Sequence, residues 1–233
     1  YIMFGTKNLL EDNMYLKKIT FIVIITIIAS FSIRTLGTIS SQIFESILMV
    51  KATILTNVLF ILSHILFWIV FYKEYIAIKK VSLNKICILA IFGSLAVSVV
   101  YMKKLPFVFG LNIQFPIFLM NPFFDALIPL ISSAFHLIFF VTFKRSLEND
   151  EKPALSKPIL SIIVGNSIFI FLHIIVLSNF FVTHRFEWLE HLPRAIAVST
   201  VPLIILAVCF MLYFYYQFYC FLDSNDNIDK IST

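Results

Sequence analysis

Six long apolar stretches, at about 18–33, 52–72, 86–102, 123–143, 159–182 and 195–222, alternate with short intervals that collect most of the charged residues. An α-helix rises about 1.5 Å per residue, so roughly 20 apolar residues cross a hydrocarbon layer about 30 Å thick. The pattern therefore predicts an all-α integral membrane protein. One bundle of six transmembrane helices fills residues 1–222, followed by a polar tail at 223–233. Lys17 and Lys18 before the first stretch resemble the charged start of a signal peptide. Arg34 follows it instead of a small-residue cleavage site, which predicts a retained helix.

Composition agrees with a bilayer as the solvent. Hydrophobic residues make up 60% of 233 positions and charged residues only 13%, about half the share usual in soluble domains. Mean hydropathy is +0.96. The net charge of +5 is carried mostly by loop lysines, which suits anionic lipid headgroups and gives no basic, aromatic surface pattern for a nucleic acid. Cys87, Cys209 and Cys220 all lie in apolar stretches without CxxC spacing, so neither a disulfide nor a thiolate metal site is expected. Twelve Lys and Arg fall on the side of the two termini and six on the other. The positive-inside rule then places both termini in the cytoplasm, in a plasma or inner membrane.

Two internal registers compete. A shift of 109 sets Asn57 and His64 over Asn166 and His173, and carries the first three stretches onto the last three. Three helices per half would make this a 3+3 inverted repeat, the arrangement of many transporters with a site between the halves. A shift of 72 instead sets His64 over His136 and implies a direct repeat of two helices.

Polar groups within hydrocarbon are costly unless partnered. Asn57 and His64 share one face of the second helix, Asn166 and His173 repeat that spacing on the fifth, and Asp125, Ser132 and His136 form a stripe on the fourth. Converging stripes would make a central polar site for a small solute or proton, since an unperturbed imidazole titrates near neutrality. Hydrogen bonding between helices is the plainer role for the same groups. His64 and His136 stand at similar depth and His173 lies nearer the outer end. That stagger suits a route better than a three-histidine metal site, although the level pair would also suit axial ligation of a b-type haem.

The outer connections carry weaker candidates. Arg34, at the start of an amphipathic segment, is a candidate for an anionic ligand or simply a helix end. Residues 105–125 hold Pro106, Pro116 and Pro122 among phenylalanines, as in a lid or an aromatic belt. His184, Glu187 and His191 would stack on a short helix and form a weak metal candidate. No GxSxG, HExxH or phosphate-binding loop is present, so an enzyme is not expected. The reading is a small transporter or transporter subunit with no resident cofactor. Its alternatives are a ligand-sensing or scaffolding subunit that depends on a partner membrane subunit, and a membrane cytochrome.

Overall fold

The computed structural model describes residues 3–41, 47–111, 121–149, 151–185 and 192–231. Six helices are long and apolar enough to cross a membrane. They are α1 (Met3–Ser41), α2 (Ile47–Phe71), α3 (Asn84–Met102), α4 (Pro122–Arg145), α5 (Lys152–Arg185) and α6 (Leu192–Ile231). No strand occurs among the described residues. The protein is an all-α membrane bundle. Several helices outrun the apolar stretches: α1 begins well before residue 18, and α6 continues as helix to Ile231 through the segment expected to be a plain polar tail. Hydropathy marks the part of a helix that lies in lipid and is blind to turns continuing into water.

Local chemistry sets the ends. Asn121 caps α4, its side-chain oxygen accepting from the backbone N–H of Phe123 at 2.9 Å, and Pro122 occupies the first turn, where no intrahelical N–H is required. Beyond Phe71 the second helix widens into a π-helical turn, Tyr72–Ile76, and runs one more turn, Ala77–Lys79. Within the spans, Thr20 and Thr142 return their hydroxyls to carbonyls four residues back, which satisfies them in hydrocarbon.

Each helix packs on its neighbours in sequence, and α1 closes on α6, so the helices form a ring in chain order. The expected inverted repeat is not confirmed. A two-fold axis in the membrane plane reverses the sense in which helices run round a ring, whereas here the sense is kept from α1 to α6. The ring is compatible with a repeat of helix pairs. The inward layers recur on the even helices as His64, His136 and Tyr215, then Phe67, Phe139 and Phe218, then Phe71, Phe143 and Leu222. Leu16 on α1, Leu155 on α5 and Leu83, immediately before α3, are also buried.

At the end of the bundle that carries the termini, the axis is filled with rings. Trp68 meets Phe139 edge-on at 4.9 Å, Phe67 meets Tyr215 at 5.1 Å, Phe140 meets Phe214 at 5.1 Å and Phe71 meets Phe218 at 5.5 Å. Edge-to-face pairs of this kind add to the area that each ring buries.

A polar layer seals the same end. Lys80 is only 5% exposed; its ammonium pairs with Glu148 at 2.7 Å and Glu151 at 2.8 Å, and donates to the Ser146 carbonyl at 3.2 Å. The Tyr75 hydroxyl donates to Glu151 Oε1 at 2.5 Å, and the backbone N–H of Glu148 donates to Glu151 Oε2 at 3.0 Å. Burial alone would raise the pKa of Glu151. The hydrogen bonds from Lys80, Tyr75 and the Glu148 backbone, with the Lys80 charge, outweigh it and hold the carboxyl below its ordinary value. For Lys80 burial pulls the other way and is likewise outweighed, by Glu148 and Glu151, so its pKa is raised. Glu74, on the π-turn, accepts the backbone N–H of Leu16 at 2.9 Å and ties α1 to this layer. Lys17 pairs with Asp223 across the α1–α6 seam.

Candidate functional site

Above the ring-filled end, the bundle holds a partly open cavity of about 230 Å³ to which all six helices contribute. Its floor is formed by His64, His136 and Tyr215. Phe31, Tyr101 and His173 line it nearer the opposite end, and Asn57, Ser132, Asn166 and the rings of Phe60, Phe140 and Phe169 line the walls. Six of the seven residues expected to form a central site therefore meet at one cavity.

Donor-only and acceptor-only partners fix the imidazoles. The indole N–H of Trp68 can only donate, so His64 Nε2, 2.9 Å away, accepts and carries no proton. A cationic ring would set two N–H groups against each other there. His64 is thus neutral, its proton is on Nδ1, and it donates to the Tyr215 hydroxyl oxygen at 2.9 Å. That leaves the hydrogen of Tyr215 for another acceptor.

His136 is 7% exposed; its Nδ1 faces the Ser132 carbonyl at 2.7 Å and must donate to it. Nε2 of the neutral ring then accepts from the Ser94 hydroxyl at 3.0 Å, in competition with the Ala90 carbonyl 3.1 Å from the same oxygen. On α5, His173 Nδ1 lies 2.6 Å from the Phe169 carbonyl and donates to it, which in the neutral ring leaves Nε2 as an acceptor. Asn57 Oδ1 accepts from Ser30 at 2.7 Å, which leaves its amide hydrogens, and Asn166 Nδ2 donates to the Ile162 carbonyl at 3.0 Å, which leaves its oxygen.

Asp125, the seventh expected residue, is not part of the cavity: it pairs with Lys103 between α3 and α4. A carboxylate near a helix start finds a nearby cation at lower cost than a place in a nonpolar cavity. The haem geometry is also not met. Both nitrogens of His64 are already bonded to Trp68 and Tyr215, and the His64 and His136 rings sit 5.5 Å apart in direct contact, whereas an axial pair needs a free nitrogen on each ring. No group of three metal-ligating side chains occurs among the described residues. The side chains of Arg34, His184, Glu187 and His191, and residues 112–120 of the expected lid, lie outside those described.

Tyr215, Trp68, Ser94 and Ser30 were missed by sequence reasoning. Tyr215 and Trp68 sit in aromatic-rich helices where a polar tip carries no distinctive pattern. Ser94 could have been found from the shift of 72, which sets it over Asn166. Comparison with known proteins finds no matching family model, no matching curated protein and no matching solved structure.

Proposed function

We propose that this chain is a small membrane transporter or transporter subunit that holds a small solute in the central cavity. The observation that supports the reading is the gathering of Asn57, His64, Ser132, His136, Asn166 and His173 around one space within the membrane-spanning part. The ring-filled end and the Lys80 layer then act as the closed gate on the side of the termini. A solute is favoured over a proton as cargo, because among the described residues no hydrogen bond joins one histidine to another and His64 is held neutral by Trp68. Osmotic swelling of proteoliposomes against a panel of uncharged solutes tests the proposal. Faster swelling that His64→Ala and His173→Ala both abolish is the expected result. Normal rates in both variants sink it, and a stoichiometric second subunit with no flux favours the sensing or scaffolding role.

One observation favours a second reading, in a different class. Ser94 and His136 are a hydroxyl and a base 3.0 Å apart, with the base oriented by the Ser132 carbonyl, the arrangement that activates a serine nucleophile. In that reading the Ser94 oxygen bonds to the carbonyl carbon of an ester, its proton passes to His136 Nε2, and the alkoxide leaves with that proton. Labelling of Ser94 by a fluorophosphonate, abolished in His136→Ala, supports this reading; absence of labelling on the folded protein removes it.

A further inference from the structure

We infer that the occupant of the cavity is an uncharged, largely apolar molecule of about ten non-hydrogen atoms, with one polar group, such as a hydroxyl, that accepts a hydrogen bond at the cavity floor. This rests on the reading of the cavity as a solute site and goes further by naming the ligand chemistry. The volume, 230 Å³, exceeds the roughly 150 Å³ that holds benzene and falls below the 300 Å³ at which drug-sized pockets begin.

The polar groups are few and their senses are fixed. Trp68 forces the His64 proton onto Nδ1, Nδ1 donates to Tyr215, and the Tyr215 hydrogen is thereby turned to an acceptor other than His64. Tyr215 lines the cavity floor, so the floor offers a donor. On the α5 wall the donor capacity of His173 Nδ1 is spent on the Phe169 carbonyl, and one amide hydrogen of Asn166 is spent on that of Ile162. This wall offers acceptors: the bare His173 Nε2 and the Asn166 oxygen. The polar group of the ligand is assigned to the floor, where it accepts from Tyr215, and the His173 acceptor, nearer the opposite end, is not needed for it.

Among the described residues no Asp, Glu, Lys or Arg lines the cavity, and most of the wall is rings and aliphatic chains. An ion brought there loses hydration that these groups cannot replace. An apolar body instead gains by leaving water.

The test uses the full chain in lipid nanodiscs, with empty nanodiscs as the blank, and four probes sharing one ten-carbon body: naphthalene, 1-naphthol, 1-naphthoate and 1-naphthylmethylammonium. The expected result is saturable binding of 1-naphthol at least tenfold tighter than naphthalene, with neither ion competing. Tyr215→Phe, which keeps the ring, should bring 1-naphthol to the affinity of naphthalene. Equal binding of 1-naphthol and naphthalene by the unaltered protein overturns the inference, as does tighter binding of either ion. Because that comparison needs no variant, poor folding of Tyr215→Phe does not affect it. Binding of 1-naphthol without solute flux would overturn transport and leave the ligand class standing; flux with no preference among the probes would do the reverse.

Discussion

Trp68 donates its indole hydrogen to Nε2 of His64, one helical turn away, and so fixes the tautomer on which the floor of the cavity is built. Trp68 is fully buried against Phe139 and Phe140, so the donor has no freedom to turn away. The electronic state of a ring facing the cavity is thus set by packing behind it.

Trp68→Phe should therefore lower stability by about 2 kcal/mol, part for the hydrogen bond and part for the smaller ring. A double-mutant cycle with His64→Leu isolates the first part. Thermal unfolding in detergent should show a coupling of about 1 kcal/mol, and strict additivity of the two losses would mean that the bond does not matter.

The layer around Lys80 predicts a loss of stability on the acid side. The folded-state pKa of Glu151 is depressed, so its stabilisation is present above the ordinary carboxyl value of 4.5 and is lost as pH falls through the lower folded value. Lys80 has a raised pKa, so its contribution is present below the unfolded value of 10.5 and is lost only as pH rises beyond it. Stability attributable to the layer should be flat between these limits and fall on the acid side below about pH 4.5. Lys80→Met should cost about 3 kcal/mol by leaving Glu151 buried without its cation. Glu148→Gln, at a carboxylate 67% exposed, should cost under about 1 kcal/mol. Equal losses in the two variants would show that the buried carboxylate is not the sensitive partner.

Much of this architecture was legible in the apolar stretches, because lipid demands long apolar helices whatever the topology. The polar stripes were legible for the same reason: Asn and His are rare enough in hydrocarbon that Asn57, His64, Asn166 and His173 stood out. The order of packing was not. A shift of 109 and a shift of 72 both align histidines, and neither says which helices pack together; the ring, with α1 against α6, is read only from the contacts. Asp125 was misplaced because helical spacing puts it on the face of Ser132 and His136, while its partner, Lys103, comes from beyond the end of the neighbouring helix. Spacing along one helix reports a face and not what the facing helix offers.

Asp125→Asn should accordingly leave ligand binding unchanged. The pair with Lys103 joins α3 to α4 outside the cavity, and because the Lys103 side chain is only 9% exposed its loss should cost about 2 kcal/mol. Binding of 1-naphthol and thermal unfolding, read on the same sample, check this. A tenfold loss of affinity with normal stability would return Asp125 to the site.

Gly93 tests how closely α3 must approach α4 for Ser94 to reach His136. A Cβ added at Gly93 would stand 3.0 Å from Ser132 Oγ, 3.1 Å from its Cα and 3.3 Å from Phe135. The Cα cannot yield without moving the helix, so Gly93→Ala should push α3 outward by a few tenths of an ångström. Overpacking of this kind costs about 1–3 kcal/mol. The shift also lengthens the 3.0 Å contact between Ser94 and His136, the residue that follows the glycine and the base that faces it. Gly110→Ala is the contrasting variant. Its positive φ of 68° strains any side chain, yet a Cβ there meets nothing within 4 Å, so it should cost about 1 kcal/mol and leave the cavity unaltered. Unfolding and 1-naphthol affinity measured for both should show the two losses together in Gly93→Ala and the stability loss alone in Gly110→Ala. Unchanged affinity in Gly93→Ala despite its lower stability would mean that the α3–α4 approach does not shape the site.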